Sequence, residues 1–157
     1  MNPAATTAHI ALGANLGDAV ATVRAALAAL DTLPQTELVA ASGLYRTVPW
    51  EASGPDFINA VAEVRTALAP LALLHALQAL ELQAGRERPY RNAPRTLDLD
   101  VLRHGDVTLD TPELTLPHPR MLERAFVLVP LAEIAPALVP PAALQAVAGQ
   151  AITRLPD

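Results

Sequence analysis

The sequence has no cysteine, which removes disulfide staples, thiolate nucleophiles and cysteine-ligated zinc together and leaves any chemistry to oxygen and nitrogen. It has no lysine either: all 11 basic residues are arginine, the better bidentate ligand for phosphate. Aromatic residues are scarce, with one tryptophan, two tyrosines and two phenylalanines. No apolar run reaches the ~20 residues a membrane span needs, because the stretches that make the chain 52% hydrophobic are short and broken by proline or charge. Met1 to His9 holds no basic residue ahead of an apolar stretch, so no secretory leader is expected, and the cytoplasm is the predicted compartment. A net charge of -5 argues against a broad basic face for nucleic acid.

What is present suits one domain over 1–157, long enough to bury about two-thirds of the surface of the unfolded chain. His9 to Ala14 reads as a buried strand, and Asn15 to Asp18 supplies a turn and a helix N-cap. Val20, Val23, Leu27 and Leu30 then recur at helical spacing. Glu37 to Thr47 predicts a second strand ended by Pro49, and Ile58 to Val64 a third. Pro70 opens a second helix that Gly85 stops. After a loop over 86–95, TLDLDVL at 96–102 alternates strictly, with Leu97, Leu99 and Val101 on one face and Asp98 and Asp100 on the other. The order strand, helix, strand, strand, helix, strand predicts an α+β fold with a ferredoxin-like antiparallel sheet and helices packed on one face. A hairpin around Gly105 and Asp106 and helices after Arg120 are expected as additions.

Asp98 and Asp100, about 6.5 Å apart along a strand that rises ~3.3 Å per residue, can hold one or two hard cations. Magnesium keeps waters and prefers one or two carboxylates plus substrate phosphates, so the pair suits nucleotide-bound Mg²⁺ better than a dedicated protein cage. Taken alone, such a pair is more often a plain solvated strand face. Arg86, Arg88, Arg91 and Arg95 crowd four of the chain's cations into ten positions just before it. A magnesium-bridged polyphosphate would relieve that repulsion and engage both groups, and simple neutralisation by Glu87 and the aspartates is the alternative. His118, with Arg120 and Arg124 after it, can meet a phosphate or serve a turn. Tyr45, Trp50 and Phe57 can stack on a flat ring or pack in the core, and Asn59 can read a heterocycle edge or satisfy backbone.

RNAPRTLDLDVL over 91–102 resembles the signature of the hydroxymethyldihydropterin pyrophosphokinases, and the resemblance extends to IALGANLGD at 10–18, YRTVPW at 45–50, FINAV at 57–61, QALELQAGRER at 78–88, LPHPR at 116–120 and RAFVLVPLAEIAP at 124–136. It implies a ferredoxin-like fold, two Mg²⁺ ions bridging the ATP phosphates through Asp98 and Asp100, and attack by a pterin hydroxymethyl oxygen on the β-phosphorus with AMP leaving. It assigns Arg86 and Arg95 to the transferring phosphates from a loop that closes over substrate. Arg88, His118 and Arg124 are assigned to the nucleotide, and Gln78, Glu81, Leu99, Val101 and Thr115 to the lining of the ATP site. Phe57 and Phe126 would sandwich the pterin, with Asn59 and backbone near Thr47 and Val48 reading its edge. Asn92 stands where many members carry tryptophan, and the loop is one residue shorter. The expected partners are the two small substrates, with no nucleic acid, no membrane and no obligate protein partner.

Two rivals remain. A ferredoxin-like RNA-binding module would carry paired aromatics on central strands and a basic face, where this chain offers alternating leucine and aspartate. Another magnesium-dependent phosphotransferase or nucleotidyltransferase would release ADP or pyrophosphate in place of AMP.

Overall fold

The computed structural model describes residues 5–48, 55–85 and 97–156. Its centre is β1 (Thr6–Ala14) paired antiparallel with β4 (Phe57–Thr66) over nine register pairs, from Thr6 against Thr66 to Ala14 against Ile58. These two strands are buried on both faces, so their sequences run apolar without alternation. Helix α1 (Ala19–Leu30) follows β1 after Asp18, whose side chain accepts the Ala21 N–H at 3.0 Å and satisfies a free amide of the first turn. Helix α2 (Pro70–Ala84) starts with proline at its first position and ends at Gly85, whose N–H donates to the Glu81 carbonyl.

The expected single strand over 37–47 is instead two, β2 (Thr36–Ala41) and β3 (Tyr45–Thr47), both paired with β4 along the same edge. Between them Ser42 donates its N–H to the Val61 carbonyl and accepts the Val61 N–H on its hydroxyl, so the ladder is kept by a side chain where the backbone bends away. Strand β5 (Asp98–His104) lies on the other side of β1, and the late strand β8 (Ile152–Arg154) pairs with β3, giving the order β5-β1-β4-β3-β8. β8 has no signal of its own beyond three residues, and it exists because β3 offers it an open edge.

One correction concerns the hairpin. Gly105, at φ 56, turns the chain at the end of β5, and the hairpin lies further on, where β6 (Leu109–Asp110) pairs with β7 (Thr115–Leu116). Thr111 closes its turn, accepting the Leu114 N–H and donating to the Leu114 carbonyl through its hydroxyl.

A second correction concerns the layers. α1 and α2 pack on one face, against Ile10, Leu12, Ala62, Val64, Leu99 and Val101. The opposite face carries α3 (Ala125–Ile134) and α4 (Pro141–Ala146) over Ala11, Val61 and Leu102. The C-terminal helices are therefore a second apolar layer, which the inward-facing Ala11, Val61 and Leu102 require in order to leave water. The sheet is antiparallel throughout and carries four α-helices among the described residues. No described helix is long and apolar enough to cross a membrane.

Leu128 is fully buried between α3 and the sheet. Leu128→Ala is expected to cost about 2–5 kcal/mol of stability by leaving a cavity. Urea denaturation would measure it, and a loss below about 1 kcal/mol would mean that α3 is not integral to the core.

Candidate active site

β5 is the edge strand of the sheet, and it places the two aspartates as the alternation predicts: Asp98 and Asp100 are exposed while Leu97, Leu99 and Val101 are buried. Period two puts Asp98 and Asp100 on the same face as Leu102, the face covered further along by α3. The outward N–H of Leu99 is taken by the carboxylate of Glu81 on α2, at 2.8 Å, which satisfies an edge amide between the two aspartates. A cleft of about 240 Å³ wraps this edge, lined by Asp100, Val101, Thr115 and His118 together with Leu74 and Glu113.

His118 is held by two bonds: its N–H donates to the Leu102 carbonyl at 2.9 Å and its Nδ1 accepts the Arg120 N–H at 3.2 Å. In the neutral ring the proton therefore sits on Nε2, where it can be donated. Burial, first of all, holds this histidine below its ordinary pKa; the Asp100 carboxylate pulls the other way, and Arg124 and Arg120 add to the lowering. A neutral His118 at pH 7 is thus a hydrogen-bond donor beside the nucleotide expected in this cleft.

A second group lies on the same face of the sheet. Register pairs run Asp98 to Gly13, Gly13 to Asn59 and Asn59 to Tyr45, a transverse row across four strands. Two strand spacings of ~4.8 Å separate the Asp98 and Asn59 backbones by about 10 Å. Gly13 is the gap between them: a Cβ there would stand 3.2 Å from the Asn59 amide oxygen. Asn59 is buried and donates through Nδ2 to the Thr47 hydroxyl at 2.8 Å. Thr47 pairs in turn with Phe57, which is half-buried, and Val48 is exposed at the end of β3. At the start of α3 the Arg124 guanidinium stands 5.4 Å from the centre of the half-buried Phe126 ring, a cation–π contact between one residue expected at the nucleotide and one expected at the pterin.

The fold therefore gathers Asp100, Val101, Thr115 and His118 in one cleft and Thr47, Phe57 and Asn59 at a neighbouring position on the sheet. Leu99 is in the core, reaching the site only through its backbone, and Gln78 is exposed on α2, outside the cleft lining. Arg86, Arg88, Arg95 and Asn92 lie outside the described residues, as does Trp50. Tyr45 does not join a stacking slot. It is buried, and its hydroxyl donates to Glu133 of α3 at 2.6 Å. Sequence reasoning passed over Glu133, although it is the only charged side chain in the ten residues of α3. Among the described residues no third histidine or carboxylate joins Asp98 and Asp100 as a metal-binding cluster.

Residues 9–136 match the family model for 7,8-dihydro-6-hydroxymethylpterin-pyrophosphokinase. The chain is similar to the 2-amino-4-hydroxy-6-hydroxymethyldihydropteridine pyrophosphokinase of Pseudomonas aeruginosa, 53% identical over 131 residues that cover 83% of this chain and 81% of the relative. It is also similar to the enzyme of the same name from Haemophilus influenzae, 47% identical over 136 residues covering 86% and 85%. In three dimensions it superimposes on a Plasmodium falciparum HPPK-DHPS triple mutant with a TM-score of 0.67 at 16% identity, a likeness of fold that covers 84% of this chain and 40% of that one.

Two titrations follow. The His118 ring followed by NMR should protonate below the ordinary midpoint of 6.5, and Asp100→Asn should lower it further, because the carboxylate favours the imidazolium; an upward move would disprove the coupling. Tyr45 is raised from 10.0 to about 12 by burial and then by the bond and charge of Glu133. A raised phenol stabilises the fold fully below pH 10.0, and that share is lost as pH climbs towards about 12. Alkaline unfolding curves should show this fall in the wild type and a shallower one in Tyr45→Phe.

Proposed function

The chain belongs to the 7,8-dihydro-6-hydroxymethylpterin-pyrophosphokinase family, and from that membership we propose that it is an enzyme that transfers pyrophosphate from ATP to 6-hydroxymethyl-7,8-dihydropterin, yielding AMP and the pterin diphosphate in tetrahydrofolate biosynthesis. The observation that carries the reading is the shared sheet face on which Asp98 and Asp100 stand, Asp98 about two strand spacings from Asn59, with Gly13 between them where a Cβ would crowd the Asn59 amide oxygen. Residues 1–157 are read as one pyrophosphokinase domain, since β1 and β4 contribute to both core layers. The βαββαβ order with its β5-β1-β4-β2/β3 sheet supports the ferredoxin-like description.

The donor set suits magnesium: two hard carboxylates on one exposed strand face in a chain without thiolates. Asp98 and Asp100 would hold the two Mg²⁺ ions expected with ATP, which when bound offset the charge of the phosphates. Leu74, Val101 and Thr115 form the walls of the nucleotide cleft, and His118 donates its Nε2–H to a phosphate without adding a charge. Glu81 contributes by anchoring the Leu99 amide, and so the height of β5, more directly than by touching nucleotide. Arg124 sits between the two substrates over Phe126. Phe57 and Phe126 take the faces of the pterin, and Asn59, oriented by Thr47 next to Val48, reads its edge. Arg86 and Arg95 on the transferring phosphates, Arg88 on the nucleotide and Gln78 at the ATP site rest on the family resemblance.

In the reaction the hydroxymethyl oxygen bonds to the β-phosphorus, the bond from that phosphorus to the oxygen bridging the α-phosphate breaks, AMP leaves and the hydroxyl proton is released. Such a transfer needs alignment and electrostatic stabilisation more than a protein base, and none is assigned. The partners are the two small substrates, with neither nucleic acid nor membrane, and the cytoplasm is the proposed location.

The test is to incubate the protein with Mg²⁺-ATP and the pterin alcohol and separate the products. Stoichiometric AMP and pterin diphosphate are expected; ADP or pyrophosphate would assign a different transfer. Asp98→Asn and Asp100→Asn should each lower turnover by on the order of 100-fold or more, with the circular dichroism of the fold unchanged. Full activity in both variants would remove the metal-binding role.

A further inference from the structure

Glu133, in the last turn of α3, is bonded to three residues on two other stretches of chain. Its two carboxylate oxygens accept the Gly43 N–H at 3.2 and 3.0 Å, in the bend between β2 and β3. Oε1 also accepts the Tyr45 hydroxyl at 2.6 Å and faces the Arg154 Nε of β8 at 3.4 Å. Burial pushes this carboxyl up, but the Tyr45 hydroxyl, the Gly43 amide and Arg154 together hold it below the ordinary carboxylate range. A charge accepting several donors at once is the strong kind of hydrogen-bonded anchor. It stands in a helix whose other nine residues carry no charge.

One of the tethered segments, β3, carries expected pterin contacts, and α3 itself carries another. Tyr45 is two residues from Thr47 on β3 and is the register partner of Asn59. Phe126 sits near the other end of the same α3, and Val127, Leu128 and Leu131 of that helix are packed on the sheet. We propose that Glu133 is a positioning residue for the acceptor pocket, setting α3 against β3 so that Phe126 and the Asn59–Thr47 pair face the same flat ring. The proposal rests on the pyrophosphokinase reading above. Glu133 touches no reacting atom; it acts through the spacing of two walls, and a small error in that spacing is felt by the substrate that lies between them. The cleft at the β5 edge lies three strands away, across β1 and β4 from β3, and should feel the change far less, since only Arg124 of the expected nucleotide residues stands at the start of α3.

The experiment is steady-state kinetics of Glu133→Ala and Glu133→Gln, varying each substrate in turn, with thermal unfolding measured in parallel. Glu133→Ala should raise the KM for the pterin by on the order of tenfold and leave the KM for ATP within about twofold. Glu133→Gln, which keeps an oxygen for Gly43 or Tyr45, should recover part of that loss. His104→Ala provides the comparison for stability alone, because it removes the Nε2–H bond to the Leu68 carbonyl (2.8 Å) at the opposite end of β5 from Asp98, with no contact to Glu133 or to the expected pterin residues. It should lower the melting temperature with both KM values unchanged. A pterin KM unmoved in Glu133→Ala, or a rise matched by ATP and by His104→Ala, overturns the positioning role. Wild-type protein that forms no AMP overturns the pyrophosphokinase reading, and the positioning role with it.

Discussion

The register of β5 against β1 is the constraint from which the site follows. Leu99 lies opposite Leu12 and Val101 opposite Ile10, both on the face that α1 and α2 cover, so Asp98 and Asp100 are forced to the other face. A slip of one residue would bury both aspartates and expose three large aliphatic side chains, a cost no local preference could offset. Between His9 and Ile10 the register shifts, leaving Leu102 as the extra residue of β5, and Leu102 points under α3. Because β5 is an edge, its outward amides need partners, and the Glu81 carboxylate supplies one at Leu99.

Burial on both faces of the sheet then determines where substrates can go. The α1/α2 face is filled by the main core, and the α3/α4 face is covered only over Ala11, Val61 and Leu102. The remainder of that second face carries the exposed Asp98 and Asp100, then Gly13 and the buried Asn59, four positions whose side chains are polar or missing. The apolar helices that close one end thereby define the open end. This is the usual division between a packed scaffold and a concave, partly polar site.

The three polar anchors at the margins of this region differ in kind. His118 is neutral because it is half-buried, and the backbone of Arg120 settles which nitrogen holds the proton. Asn59 is oriented by a single hydroxyl, that of Thr47. Glu133 is held below the ordinary carboxylate range because three donors converge on it, and the Tyr45 phenol is raised to about 12 by burial first and then by the bond and charge of Glu133. For the two that titrate, environment decides protonation: desolvation prevails at His118, and hydrogen bonds prevail at Glu133, where they are several.

Much of the local structure was legible in the residues. Asp18 as a cap, Pro70 as a start, Gly85 as a stop and the alternation of TLDLDVL depend on contacts within a few positions, and these the chain decides alone. The split of β2 from β3, the displaced hairpin, the added strand β8 and the second helical layer were not legible, because each depends on an edge or a face offered by a segment far away in the chain. The aspartate pair and its face could be read from period two, whereas the row from Asp98 through Gly13 and Asn59 to Tyr45 exists only once strands up to 85 positions apart have chosen a register. Glu133 makes the same point, since its partner Tyr45 is 88 residues distant. Local periodicity specifies which side chains share a face; which faces meet is decided by the burial of apolar surface over the whole chain, and that is a property of the folded molecule.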